Sequence, residues 1–176
     1  LAETAFVVPK GDKYEIRWFT PTVEVDLCGH ATLAAGYVLL TQLKLNASEV
    51  SFYSYRSGDL KVFRSDDKYF LDFPTDSLIV VDKIDQFTGL INYNIIELYK
   101  GKTDYVAVIE SEDELIALEP NLSKISTLKA RGLIVTAPGK SVDFVSRFFA
   151  PQSGINEDPV TGSAHTSLTP LWAEKL

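Results

Sequence analysis

Residues 17–21 read Arg-Trp-Phe-Thr-Pro, and a near-copy of this motif, Arg-Phe-Phe-Ala-Pro, returns at residues 147–151. Each copy is followed by a group of small residues typical of a helix start. The first group is Cys-Gly-His-Ala at residues 28–31, and the second is Thr-Gly-Ser-Ala at residues 161–164. Because the two motifs come in the same order both times, they predict two pseudo-equivalent lobes.

We assign residues 1–78 to the first lobe and residues 79–176 to the second, with the join near Pro74 to Val81. Short runs rich in branched and aromatic residues predict strands, separated by turn residues. The predicted strands are Thr4–Val8, Tyr14–Phe19, Val50–Tyr55, Leu60–Arg64, Tyr69–Phe73, Ile95–Tyr99, Tyr105–Ile109, Leu133–Ala137 and Val142–Phe149. The first five read as hairpins rather than βαβ units, so we expect an α+β protein with much antiparallel pairing.

The composition excludes several classes of function. The 176 residues carry 17 Lys and Arg against 24 Asp and Glu, a net charge of −7, which disfavours nucleic acid and anionic membrane surfaces as partners. No apolar run approaches the roughly 20 residues that cross a bilayer. The single cysteine, Cys28, cannot form an internal disulfide, and no leader pattern opens the chain. We therefore expect a cytoplasmic protein with no membrane partner.

The two helix starts are candidate anion sites. The residues from Gly29 to Leu40 are almost free of charge, which predicts a central helix, and a second helix is predicted over Gly162–Leu171 with a kink at Pro170. A helix N-terminus presents free N–H groups and about half a positive charge, so either could hold a carboxylate. Close packing is the alternative reason for these small residues.

Histidine and cysteine leave two alternatives open. His30 and His165 are the only histidines, and each lies near a helix start. With Cys28 and Asp158 they could ligate zinc, but no His-x-x-x-His or Cys-x-x-Cys pair occurs, so we predict no metal site. Cys28 could be a thiolate or an inert buried thiol. Its counterpart in the repeat is Thr161, which argues against a racemase with two thiol bases.

Two carboxylates are candidate acid–base groups. Asp158 could act in chemistry or cap the second helix, because it precedes Pro159 at the expected helix start. Glu3 stands just before an apolar run, where position alone predicts a solvated charge.

Taken together, four blocks resemble the phenazine-biosynthesis PhzF-like isomerases. The blocks are Leu1-Ala2-Glu3-Thr4-Ala5-Phe6-Val7, the Arg17–Pro21 motif, Leu27-Cys28-Gly29-His30-Ala31-Thr32, and Glu157–Ala164. The resemblance runs from Glu3 to Trp172. It implies a diaminopimelate-epimerase-like fold, in which two pseudo-symmetric lobes each wrap a mostly antiparallel sheet around a central helix and the active site lies between them.

The resemblance also implies a mechanism. Such isomerases use one glutamate to move a proton within a small carboxylic acid, without a cofactor. Glu3 matches the acid/base glutamate, and His30 and Asp158 match residues that hydrogen-bond the substrate. Gly29, Gly162 and Ser163 match positions whose N–H groups hold its carboxylate. Relatives are often homodimers, so the resemblance implies a homodimer.

Two departures and two rival functions accompany this expectation. The chain has no Met and begins at Leu1, whereas such relatives have further elements before and after the matched blocks. We expect an interior part of a longer chain, or methionines left out of the written sequence.

Two other functions remain as alternatives to the isomerase. One is a protein that binds a small molecule or a partner on the same scaffold without turnover, and the other is an amino acid epimerase.

Overall fold

A computed structural model describes residues 3–21, 23–43 and 47–176. Leu1 and Ala2 of the first block lie outside these residues. The chain divides into two compact units, Leu1–Pro74 and Thr75–Leu176. Each unit contains one six-stranded sheet and a helix that follows a copy of the repeated motif.

The sheet of the first unit has the order β1-β2-β4-β5-β6, and the short β3 also pairs with β2. Its strands are β1 (Thr4–Lys10), β2 (Lys13–Phe19), β3 (Glu24–Val25), β4 (Glu49–Ser54), β5 (Gly58–Ser65) and β6 (Lys68–Asp72). Helix α1 (Gly29–Tyr37) continues into one turn of π-helix, Val38–Gln42. All neighbouring strands are antiparallel except β2 and β4, which are parallel.

The core of the first unit lies between the sheet and α1, around the fully buried Trp18 and Phe52. The indole N–H of Trp18 donates a 3.0 Å hydrogen bond to Oγ1 of Thr32 on α1, which in turn donates to the carbonyl of Cys28. Gly36 lets the helix approach β5, since a Cβ there would lie 2.5 Å from Val62. The helix predicted from Gly29 to Leu40 is present as α1 and the π-helical turn that continues it.

The sheet of the second unit has the order β12-β11-β10-β9-β8-β7. Its strands are β7 (Ile79–Val80), β8 (Glu97–Lys100), β9 (Tyr105–Val108), β10 (Leu133–Pro138), β11 (Phe144–Ala150) and β12 (Ile155–Asp158). Helices α2 (Glu112–Ile116) and α3 (Leu122–Ile125) connect β9 to β10, which are parallel, and the other neighbours are antiparallel. Helix α4 (His165–Ala173) follows a 3₁₀ turn, Gly162–Ala164.

Helix α4 packs on one face of this sheet, where Trp172 donates its indole N–H to Thr136 on β10 at 3.0 Å. Pro170 lies inside the helix and has no N–H to donate to the carbonyl of Thr166 four residues earlier. The backbone N–H of Asp76 donates to that carbonyl at 3.0 Å instead. The proline therefore leaves no unpaired carbonyl at this point of the helix.

The structure confirms the α+β class and corrects some details of the pairing. The hairpin interpretation of the first lobe is wrong at one place, because Tyr14 on β2 pairs in parallel with Phe52 on β4. Helix α1 lies between these two strands in the chain, and a helical connection allows parallel pairing. The short strands β3, β7 and β12 were not predicted, since β3 and β7 have only two residues each and β12 (Ile-Asn-Glu-Asp) has no run of branched or aromatic residues. No helix of the described residues is long and apolar enough to cross a membrane.

Candidate active site

Glu3 and His30 lie together in the first unit. Glu3 comes immediately before β1, and His30 is the second residue of α1. Nε2 of His30 lies 3.2 Å from Oε2 of Glu3, an ion-pair distance when the imidazole is protonated. That oxygen is buried and accepts no hydrogen bond of acceptable geometry from the described residues. The pair thus has a sheltered carboxylate oxygen beside an imidazole that is 72% exposed.

Cys28 is the N-cap residue of α1 and is buried beside this pair. Its Sγ lies 3.7 Å from Nε2 and 3.8 Å from Nδ1 of His30. Burial raises the pKa of the thiol; the backbone N–H of Ala31 opposes the rise and the charge of Glu3 adds to it. A raised pKa favours the neutral thiol at neutral pH, which makes Cys28 a poor base.

Gly29 is the first residue of α1, so its N–H belongs to the group that has no acceptor within the helix. The first turn of α1 contains no acidic residue of its own, and the side chain of Cys28 at the N-cap makes no capping hydrogen bond within the described part of the chain. The methyl group of an alanine at position 29 would lie 3.3 Å from the ring of Phe73. The absence of a side chain at Gly29 therefore allows the start of α1 to lie close to Leu71 on β6 and to Phe73, which follows this strand.

Asp158 ends β12 and folds back on the turn that follows. Its Oδ1 accepts the N–H of Val160 at 3.2 Å, and its Oδ2 accepts the hydroxyl of Thr161 at 2.7 Å. The residue at the N-cap of the helical turn is Thr161 and not Asp158, so the expectation of a helix cap is wrong in detail. Each carboxylate oxygen has two lone pairs, so both can still accept a hydrogen bond from a ligand.

Gly162 and Ser163 form the 3₁₀ turn that leads into α4. Gly162 is exposed, and a Cβ there would meet no atom within 4 Å. Ser163 accepts a 3.2 Å hydrogen bond from Nη2 of Arg131. The same guanidinium forms an ion pair with the buried Asp104. Arg131 therefore brings a positive charge to the turn, a feature that the sequence pattern did not indicate.

His165 lies apart from the Glu3, Cys28 and His30 group in the chain and has local contacts. Its Nδ1 is 3.4 Å from the carbonyl of Thr161, and its ring centroid is 5.8 Å from that of Phe144. Among the described residues, the group of three candidate ligands is Glu3, Cys28 and His30.

The repeated motif carries a second correspondence. In each copy its arginine forms a two-hydrogen-bond ion pair, here called the arginine clamp, with a glutamate that precedes the helix start in the chain. Arg17 forms two 2.8 Å hydrogen bonds with Glu24. Arg147 does the same with Glu157, at 2.7 and 2.9 Å. Glu24 and Glu157 stand four residues before Cys28 and Thr161 respectively. This equal spacing was available in the sequence and would have identified both clamps.

These features define a two-unit α+β protein with a carboxylate–imidazole pair at the start of one helix. The chain belongs to the PhzC/PhzF family of phenazine biosynthesis-like proteins, whose family model matches residues 1–176. Two proteins of Pseudomonas aeruginosa named uncharacterized isomerases are 45% and 48% identical to it over its whole length, and the chain covers 67% of each. A crystal structure of a PhzF-family protein of Enterococcus faecalis is also similar, with 42% identity and a TM-score of 0.86 over 99% of this chain and 67% of that one.

Proposed function

We propose that the protein is an isomerase that moves a proton within a small carboxylate-bearing substrate, with Glu3 as the acid and base. The observation that carries this proposal is the buried Oε2 of Glu3, which accepts no hydrogen bond from the described residues. A buried polar atom that accepts no hydrogen bond costs free energy, and such atoms are rare in native proteins. The names of the Pseudomonas relatives support the same class of reaction.

The proposed step needs no change of oxidation state. The carboxylate of Glu3 takes a proton from a carbon next to an electron-withdrawing group, and the electron pair of the broken C–H bond enters the conjugated system. Protonated Glu3 then returns the proton to a different carbon of the same molecule. The product is an isomer, and Glu3 is again a carboxylate.

The substrate's own carboxylate is assigned to the helix starts. The N–H groups of Gly29 and His30 have no acceptor within α1, and the positive end of the helix dipole favours an anion there. In the second unit, we propose a separate place for a carboxylate at the N–H groups of Gly162 and Ser163, next to the guanidinium of Arg131. His30 in the first unit and Asp158 in the second are each proposed to hydrogen-bond polar groups of a small molecule bound at their own unit.

Cys28 favours this proposal over an amino acid epimerase. Racemisation by two thiols needs a cysteine at the positions of both Cys28 and Thr161, and the second is threonine. The raised pKa of Cys28 further disfavours the thiolate that such a reaction requires. A single carboxylate that both removes and returns the proton fits the residues better.

The test is NMR-detected deuterium uptake from heavy water into a panel of small unsaturated and amino carboxylic acids. Full-length protein is compared with Glu3→Gln and with Glu119→Gln, a matched change at an exposed glutamate. We expect uptake with the native protein and the Glu119 variant, and none with Glu3→Gln although it still binds the acid. Undiminished uptake with Glu3→Gln would overturn the role of Glu3. Binding without uptake in all three proteins would favour a non-catalytic binding protein.

A further inference from the structure

Three different metal-ligand atoms meet at the start of α1. A carboxylate oxygen of Glu3, Sγ of Cys28 and a ring nitrogen of His30 all lie within 4.8 Å of one another. These side chains come from the residue before β1, the N-cap of α1 and the first turn of α1. The proposed proton transfer uses the carboxylate and assigns no task to the thiol, so the group as a whole calls for a further explanation.

Two of the three distances between the candidate ligand atoms are close to those around a tetrahedral ion. Zn²⁺ bonds sulfur at about 2.3 Å and nitrogen or oxygen at about 2.0–2.2 Å, which places neighbouring ligand atoms roughly 3.3–3.6 Å apart. In this structure, Nε2 of His30 is 3.2 Å from Oε2 of Glu3 and 3.7 Å from Sγ of Cys28. The third pair, the carboxylate of Glu3 and Sγ of Cys28, lies within 4.8 Å, so these two side chains as well as the imidazole would adjust to bring all three atoms to one ion.

The chemistry of the donors selects the kind of ion. A thiolate, an imidazole and a carboxylate together suit Zn²⁺ and other thiophilic divalent ions, whereas Mg²⁺ and Ca²⁺ prefer oxygen ligands alone. A second observation also indicates a ligand at this place, because the buried Oε2 of Glu3 accepts no hydrogen bond from the described residues. The side chain of His30 is 72% exposed, so an ion can reach this group from solvent.

We propose that Zn²⁺, or a similar thiophilic divalent ion, binds Glu3, Cys28 and His30 and thereby inhibits the protein. The S–H bond of Cys28 breaks, its proton passes to the buffer, and a sulfur–metal bond forms without any change of oxidation state. Coordination occupies the oxygen of Glu3 that would take the substrate proton. The ion is an inhibitor and not a cofactor. The inhibition rests on the proposed function, but the binding does not.

Binding is tested first, with Co²⁺ as a spectroscopic probe and Zn²⁺ followed by calorimetry. The native full-length protein is compared with Cys28→Ser and with His165→Ala, a change at the other histidine near a helix start. We expect one ion per chain and a near-ultraviolet thiolate-to-Co²⁺ band that Zn²⁺ abolishes. Cys28→Ser should lose the band and bind Zn²⁺ at least about tenfold more weakly, while His165→Ala should behave like the native protein. Equal affinity of native protein and Cys28→Ser, or no binding to the native protein, would overturn the site.

Inhibition is tested separately by deuterium uptake with and without Zn²⁺. We expect Zn²⁺ to stop uptake by the native protein but to leave Cys28→Ser active at the same concentration. Uptake by the native protein that persists at saturating Zn²⁺ would overturn the inhibitory role. If Zn²⁺ binds as expected and no substrate ever exchanges, the proposed isomerase function fails while the metal site stands.

Discussion

Arg147 holds Glu157 through two hydrogen bonds of 2.7 and 2.9 Å, one residue before Asp158. Its Nη1 also donates to the carbonyls of Leu115 and Leu118 at the end of α2. One guanidinium thus ties β11, β12 and the end of α2 together in the second unit. Arg17 and Glu24 repeat the ion pair in the first unit.

Replacing Arg147 by lysine should lower the free energy of unfolding. Lysine keeps the charge but cannot make the paired hydrogen bonds and the two carbonyl contacts together, so we expect the free energy of unfolding to fall by about 2 kcal/mol. Urea denaturation measures the loss. Arg64→Lys is the control, because the contacts of Arg64 with the described residues are local: a hydrogen bond to the carbonyl of Asp66 and a position over the ring of Tyr69. Equal stability of the two variants would contradict the importance of the clamp.

Glu24 should make stability depend on pH in the acid range. Its hydrogen bond to Arg17, with Tyr55 and Arg56 nearby, lowers its pKa from 4.5 to about 2 in the folded protein. A lowered folded pKa means that its contribution is complete above the unfolded value and is lost as pH falls from about 4.5 to about 2.

The measurement is urea denaturation of native protein and Glu24→Gln across that pH window. The native protein should be the more stable at neutral pH, and the difference should shrink as the solution approaches pH 2. Glu119→Gln, at an exposed position, should show no such trend. A difference between native and Glu24→Gln that stays constant with pH would refute this role.

Gly36 should be essential to the packing of α1. A methyl group there would lie 2.5 Å from Cγ1 of Val62, so Gly36→Ala should lower the free energy of unfolding by about 1–3 kcal/mol despite the better helix propensity of alanine. Thermal and urea denaturation measure this. The double variant Gly36→Ala with Val62→Gly should lose less than the sum of the two single variants, because all three atoms of Val62 that would meet the new methyl group are then absent. Purely additive losses would show that the contact is not the cause.

Arg131 should stabilise the second unit mainly through Asp104, which is 3% exposed. Arg131→Gln leaves a buried carboxylate without its partner, and we expect a loss of about 3 kcal/mol by urea denaturation. Changing Asp104 to Asn in the same protein should restore much of the stability. Ser163→Ala, which keeps the ion pair, should cost far less. A similar loss in both single variants would contradict this assignment.

The sequence was most informative where a pattern was long or repeated. Nine predicted strands correspond to observed strands because their runs of branched and aromatic residues fit a half-buried sheet. The helix after Gly29 was recognisable from its uncharged sequence. The strands β3 and β12 were missed, although they carry Glu24 and Glu157, because β3 has only two residues and β12 (Ile-Asn-Glu-Asp) has no run of branched or aromatic residues.

The candidate site was predictable only in part. Glu3 by position alone predicted a solvated charge, and its assignment depended on resemblance to a family. Its burial beside His30 depends on the packing of α1 against β1, which places residues 27 positions apart next to each other. The sequence pattern did not indicate that Arg131 belongs to the candidate site, since its partner Ser163 is 32 residues away in the chain.

The sequence by itself therefore determined the α+β class, the repeated motif and the family, since these depend on local periodicity and residue order. The tertiary structure alone decided that Glu3, Cys28 and His30 share one place and that Arg131 reaches Ser163. The physical reason is that hydrogen bonds and ion pairs act over a few ångströms between side chains. Only the packing of α1 and α4 on their sheets fixes which distant residues come that close.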